Sequence, residues 1–135
     1  MTGYCPFRKG TLLILSGPVN HLHIVMNDPV YYPERGYHGV LLVNISTVRD
    51  GRKFDSTCLF HPGEHPFVNQ QSYVVYSEAV VKNAEDISQF VNMGEFTPRA
   101  PISDHLYERT LAGFHTSPRV KPKIKRFIKN YMQLE

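Results

Sequence analysis

The stretch Val40-Leu41-Leu42-Val43-Asn44-Ile45-Ser46-Thr47-Val48 decides the fold. It is rich in aliphatic and β-branched residues, which favour an extended chain. Val40, Leu42 and Val43 are too closely spaced for a strand with one wet face, so the segment reads as a buried strand. The turn Arg49-Asp50-Gly51-Arg52 closes it, with Gly51 placed for a positive φ.

Working outward, Thr11–Leu15 is a short aliphatic strand ended by Ser16-Gly17-Pro18, and His21–Met26 is a second ended by Asn27-Asp28-Pro29. Val30–Gly39, rich in Tyr, Pro and Gly, reads as a loop. Thr57–Phe60, Ser72–Tyr76 and Ala79–Val81 complete five or six short strands separated by turn signals, the pattern of a small barrel or strongly bent sheet. Helical signals begin at Asn83, an N-cap followed by Glu85 and Asp86, with Ile87, Phe90 and Val91 at helical spacing and a stop at Gly94. A second helix is expected from Ser103 to about Ala112, ended by Gly113. A third opens near Pro122 and carries the stripe Ile124, Phe127, Ile128 and Tyr131. The expectation is a single domain over 1–135, mainly β with α additions (an α+β fold): a strand-built part over 10–82 and a helical C-terminal extension over 83–135.

The 135 residues are 41% hydrophobic and 20% charged, a globular composition. A chain of this length does not need disulfides or a metal to fold. Its net charge of +3 is unevenly placed. From Pro118 onward there are six basic residues and one acid; the 117 residues before it hold nine basic and eleven acidic. No apolar run approaches the ~20 residues that cross a bilayer. The N-terminus MTGYCPFRKG lacks the features of a secretory signal, so a soluble, cytoplasmic protein is expected, with Cys5 and Cys58 unpaired and no membrane partner.

Histidines carry the chemistry. His21 and His23 lie two apart on a predicted strand and share a face. His61 and His65 bracket the loop His61-Pro62-Gly63-Glu64-His65-Pro66-Phe67. Cys58, His61 and His65, joined by the HxH pair, have the residue types of a tetrahedral metal site. An acid–base site needs no cofactor. RNA cleavage without metal requires a base for the 2′-hydroxyl, an acid for the leaving oxygen, and groups that hold phosphate. Ser46, Thr47, Ser72 and a nearby arginine are the phosphate contacts expected on that reading. Tyr31, Tyr32 and Tyr37 have rings that stack on bases, or that pack on the core. Lys121, Lys125 and Lys129, four apart on the last helix, form a phosphate-contact face or an ordinary solvated one.

The run Gly17–Met26, then VLLVNIST, a turn, a strand, a loop and Ser72-Tyr73-Val74-Val75 resembles the MazF/PemK toxins. That resemblance implies a small SH3-like β-barrel with a C-terminal helix, a homodimer, endoribonuclease activity without a cofactor, and a cognate antitoxin as partner. Ser46-Thr47 matches the family's strand-end Thr-Ser pair, and Ser72 its later serine. The family's Arg-Pro pair is absent, and His21 and His23 stand where it would fall. The resemblance then implies catalysis by His21 or His23 with His65, helped by Ser46, Thr47 and Ser72. RNA would be held by Tyr31, Tyr32, Lys121, Lys125 and Lys129. The alternative is a non-catalytic barrel that binds a protein or a nucleic acid.

Overall fold

The computed structural model describes residues 3–132. Among them are eight strands and three helices. In chain order they are β1 (Thr11–Ser16), β2 (Val19–Val25), β3 (Val30–Tyr32), β4 (Tyr37–Thr47), β5 (Leu59–Phe60), β6 (Ser72–Val74), β7 (Val80–Asn83), α1 (Ala84–Asn92), β8 (Phe96–Arg99), α2 (Asp104–Thr116) and α3 (Pro122–Tyr131). A 3-10 turn, Tyr76–Glu78, links β6 to β7.

The quoted stretch lies almost wholly within β4, whose residues 39–45 are all buried. Every strand pairing is antiparallel. One edge of β4 pairs with β3 at Tyr37–Gly39 and with β2 at Leu42–Asn44. The other pairs with β7 at Gly39–Leu42 and with β6 at Ile45–Thr47. β1 and β8 extend the sheet beyond β2, and β5 beyond β6. β5 and β8 end the sheet without meeting, so residues 10–82 do not form a closed barrel.

Side chains alternate across β4 and build two cores. Leu41, Val43 and Ile45 face α2 and α3, packing with Leu22, Ile24, Phe60, Leu106, Phe114, Ile124 and Phe127. Val40 and Leu42 face the other way, packing with Leu12, Val25 and Ile87 of α1. The C-terminal helices therefore cover a face of the sheet that is otherwise apolar, and are not an appendage. Asn83 accepts from Glu85 N–H at 2.9 Å and Ser103 accepts from Leu106 N–H at 3.1 Å, capping α1 and α2.

Three expectations are corrected. Val30–Gly39 is a hairpin, because the tyrosines favour strand and Pro33-Glu34-Arg35-Gly36 forms a turn with Gly36 at φ 73°. Phe96–Arg99 is an edge strand, hidden in the sequence by Pro98, a residue that edges tolerate. Gly113 does not end the second helix, which runs on to Thr116. The glycine is there because the buried Tyr76 ring lies on the helix at that point, its hydroxyl donating to Thr110 O at 2.8 Å.

Gly113 thus gives a test of packing against propensity. Alanine in a helix interior normally stabilises by ~1 kcal/mol over glycine. Here a Cβ would overlap the Tyr76 hydroxyl and lie 2.5 Å from its Cζ. Gly113→Ala is expected to destabilise by about 1–3 kcal/mol, the usual cost of overpacking, measured by urea denaturation; a gain in stability would contradict this packing.

Candidate functional site

The sheet forks beside Asn44. The β2–β4 ladder ends at His23 and Asn44, although both strands continue. β2 stays with β1 as far as Val19, while β4 stays with β6 through Thr47. A cleft of about 340 Å³ opens at this divergence. It is lined by His21 of β2, by Ser46 and Thr47 of β4, and by Ser72 of β6. Arg49 enters from the turn after β4, Arg99 from the end of β8, and Phe67, Asn69 and Gln70 from the loop before β6. No carboxylate is among the lining residues.

His21 and Ser46 would be the next same-face pair if the ladder continued. The strands part, yet His21 Nδ1 stays 3.4 Å from Ile45 O, so the half-buried imidazole leans on β4. Ser72 Oγ donates to Gln70 O at 3.0 Å and opposes Thr47 across the β4–β6 ladder. With Asn20 of β2 also in the lining, the cleft is bordered by an imidazole, three hydroxyl-bearing residues, three amides and two guanidiniums, a surface suited to an anion with several oxygens.

The other two expected histidines do different work. His23 does not line this cleft. Its Nδ1 donates to His21 O at 3.0 Å, and burial lowers its pKa below the ordinary imidazole value against the opposing pull of that hydrogen bond. His65 is almost fully buried. Its Nδ1 accepts from Phe67 N–H at 3.0 Å, which leaves Nε2 to donate to Ala100 O at 2.6 Å. Both ring nitrogens are therefore committed to structure, and the ring cannot serve as a free acid or base in this conformation. Next to it, Glu64 accepts from His61 N–H at 2.7 Å and from Arg109 Nη1 at 2.8 Å, and Arg109 also donates to Leu59 O. Burial works against the charge of Glu64, but these donors hold its carboxyl below the usual range. The His61–Phe67 segment is thus a clamp that fixes the wall of the cleft from Pro66 to Gln70.

The expected binding residues lie elsewhere. Tyr32 is half-buried in an aromatic cluster, its ring 5.1 Å from Phe127 and 5.5 Å from Tyr131. Tyr31 is exposed. Lys121, Lys125 and Lys129 are exposed along α3, which packs on β3. β3 pairs with the start of β4, at Tyr37–Gly39, whereas the cleft lies at its other end, from Ile45 to Thr47. Cys58, His61 and His65 do not gather: among the described residues no group of three His, Cys, Asp or Glu side chains could hold a metal ion. Cys58 is buried, which raises its thiol pKa, and both cysteines are free. No helix among the described residues is long and apolar enough to cross a membrane.

Arg49 and Arg99 are the residues that sequence reasoning did not place. Arg49 was visible only as part of a turn, and Arg99 reaches the cleft only through an edge strand that the sequence conceals. No family model matches the chain, and no curated protein matches it.

Two histidine variants separate the roles. His65→Ala removes the acceptor of Phe67 N–H, while Ala100 O keeps the Thr11 hydroxyl as a donor at 2.8 Å, and should cost about 1–3 kcal/mol for the one group left unpaired; unchanged stability in denaturant would exclude the clamp role. His23 is harder to protonate folded than unfolded. The unfolded chain therefore binds more protons as pH falls through and below the free imidazole range, and stability drops there. Denaturation between pH 7.5 and 5 should show a shallower loss in His23→Gln than in the parent.

Proposed function

We propose that the chain is a metal-independent endoribonuclease acting at the forked cleft. One observation carries this reading: His21, Ser46, Thr47 and Ser72 line a single cleft with Arg49 and Arg99, and with no carboxylate to repel phosphate. His21 takes the proton of a ribose 2′-hydroxyl as its oxygen bonds to phosphorus. The bond from phosphorus to the 5′-oxygen breaks, and the leaving oxygen takes a proton from water. The products are a 2′,3′-cyclic phosphate and a 5′-hydroxyl. Arg49 and Arg99 hold the charge that builds on the non-bridging oxygens, the stabilisation that matters most in such a step. The hydroxyls of Ser46, Thr47 and Ser72 orient the phosphate. A cytoplasmic toxin of the MazF/PemK kind, with the bent sheet as an opened SH3-like barrel, accommodates this activity. Such a protein would work as a homodimer and be silenced by an antitoxin that covers the cleft.

The same cleft supports a second reading, in which it binds RNA without cutting it. What favours this is that His21 is the one histidine lining the cleft. Lys121, Lys125 and Lys129 fit either reading as a distant phosphate contact for long RNA.

The test is incubation of the protein with single-stranded RNA in the presence of EDTA. Cleavage to cyclic-phosphate ends is expected. It should fall at least 100-fold in His21→Ala, in line with general-base loss, and at least as far in Arg49→Ala. Intact RNA, with binding that weakens steeply as salt rises, would favour the second reading. Cleavage unaffected by His21→Ala would exclude this site.

A further inference from the structure

A second cleft, of about 180 Å³, adjoins the first and shares three residues with it: Ser46, Thr47 and Arg49. Its remaining lining is Arg52, Lys53, Phe54 and Tyr73. Tyr73 stands directly opposite Ser46 in the β4–β6 register, so both side chains rise from the same face of the sheet. The Phe54 ring lies beside it, centroids 5.1 Å apart and planes tilted by 40°. Both residues are partly exposed. Arg52 and Lys53 are exposed beside them, and again no carboxylate lines the cleft.

Two aromatic faces flanked by three cations present alternating apolar and positive surface. A nucleotide has the complementary alternation of flat base and phosphate, and base stacking on aromatic rings combined with backbone contacts is how single strands are held. A purely acidic peptide would satisfy the cations and leave the rings unused. We infer that the second cleft is a stacking subsite for the nucleotide next to the bond that is cut. Its base lies on Tyr73 and Phe54, and its outer phosphate lies against Arg52 and Lys53. Arg49, common to both clefts, holds the phosphate between. The inference rests on the reading of the first cleft as an RNA site, and it adds a position at which binding depends on the presence of a base far more than on its identity.

The test measures binding apart from cleavage. The probe is a fluorescent single-stranded hexanucleotide with 2′-O-methyl groups, which cannot be cut through the 2′-oxygen, and titrations are followed by anisotropy. Phe54→Leu and Tyr73→Leu should each weaken binding about 10-fold, within the range for loss of one stacked base, while Tyr73→Phe keeps it. Melting curves verify that each variant is folded. Replacing the nucleotides one at a time by an abasic residue should reveal one position that costs the parent about 10-fold and costs Phe54→Leu nothing. If RNA is cleaved but neither leucine variant of a folded protein alters affinity, the subsite is wrong and the cleavage reading survives. If the leucine variants weaken binding and no RNA is cut, the subsite stands and the endonuclease reading falls. Equal binding of polyglutamate, lost in the same variants, would overturn the nucleotide assignment, as would no binding of the hexanucleotide at all.

Discussion

The whole structure depends on β4, a long strand whose two edges are both occupied through its middle. Eleven residues of strand are longer than any of the partners, so four strands share its edges and each covers only a part. An antiparallel strand can leave one face in water, but Gly39–Ile45 bury both, against α2 and α3 on one side and α1 on the other. Where partners change, the backbone needs other satisfaction. Between β2 and β3 it comes from Asn27, whose side chain accepts from Leu41 N–H at 2.7 Å and donates to Gly39 O at 3.2 Å. At the other end of β4 the ladder to β2 stops at Asn44, only the His21 ring leans across to Ile45 O, and the space between the strands is the cleft. The site is thus a consequence of strand pairing: β4 follows β6 while β2 follows β1, and the groups at the divergence are left facing each other.

A cleft made by diverging strands has one fixed side and one side made of loop, and loops hold position only when tied down. The segment from His61 to Phe67 shows how that is done. Glu64 closes the turn on His61 N–H and reaches Arg109 of α2, while His65 spans to Ala100, just past β8. One tie reaches a core helix and the other the chain just past the edge strand, so the wall from Pro66 to Gln70 is held from two directions. His65, expected from the sequence to share catalysis with His21 or His23, has both ring nitrogens bonded to the backbone and is almost fully buried, so it holds the wall in place.

How far the sequence was legible follows from the range of each interaction. The aliphatic density of Val40–Val43, the cap at Asn83 and the stripe Ile124, Phe127, Ile128 are local signals, and each marks an element that exists. What failed was non-local. Phe96–Arg99 is a strand only because β1 offers a free edge, and Gly113 is a helix-interior residue only because Tyr76 comes from far along the chain to lie on it. Residues of the site were legible by the same rule. Ser46, Thr47 and His21 could be named from their strands, and Ser72 from a short one. Whether His65 joined them depended on contacts with Phe67 and Ala100, which no spacing encodes.

Charge makes the same point more sharply. The first 117 residues carry a slight negative balance, with eleven acids to nine bases, and the obvious positive segment is the C-terminal helix. Yet Arg49, Arg52, Lys53 and Arg99 gather around the end of β4 at two adjoining clefts that no acid lines. A net charge sums over the surface, whereas a bound phosphate feels what lies within about a Debye length, ~8–10 Å. The Arg-Pro pair of the toxin pattern is absent, with His21 and His23 where it would fall, but guanidiniums reach the cleft, one from the turn after β4 and one from the edge strand. On the proposed reading, phosphate is held by guanidiniums that reach the cleft from two separate places in the chain, Arg49 and Arg99, and only the folded sheet brings them together.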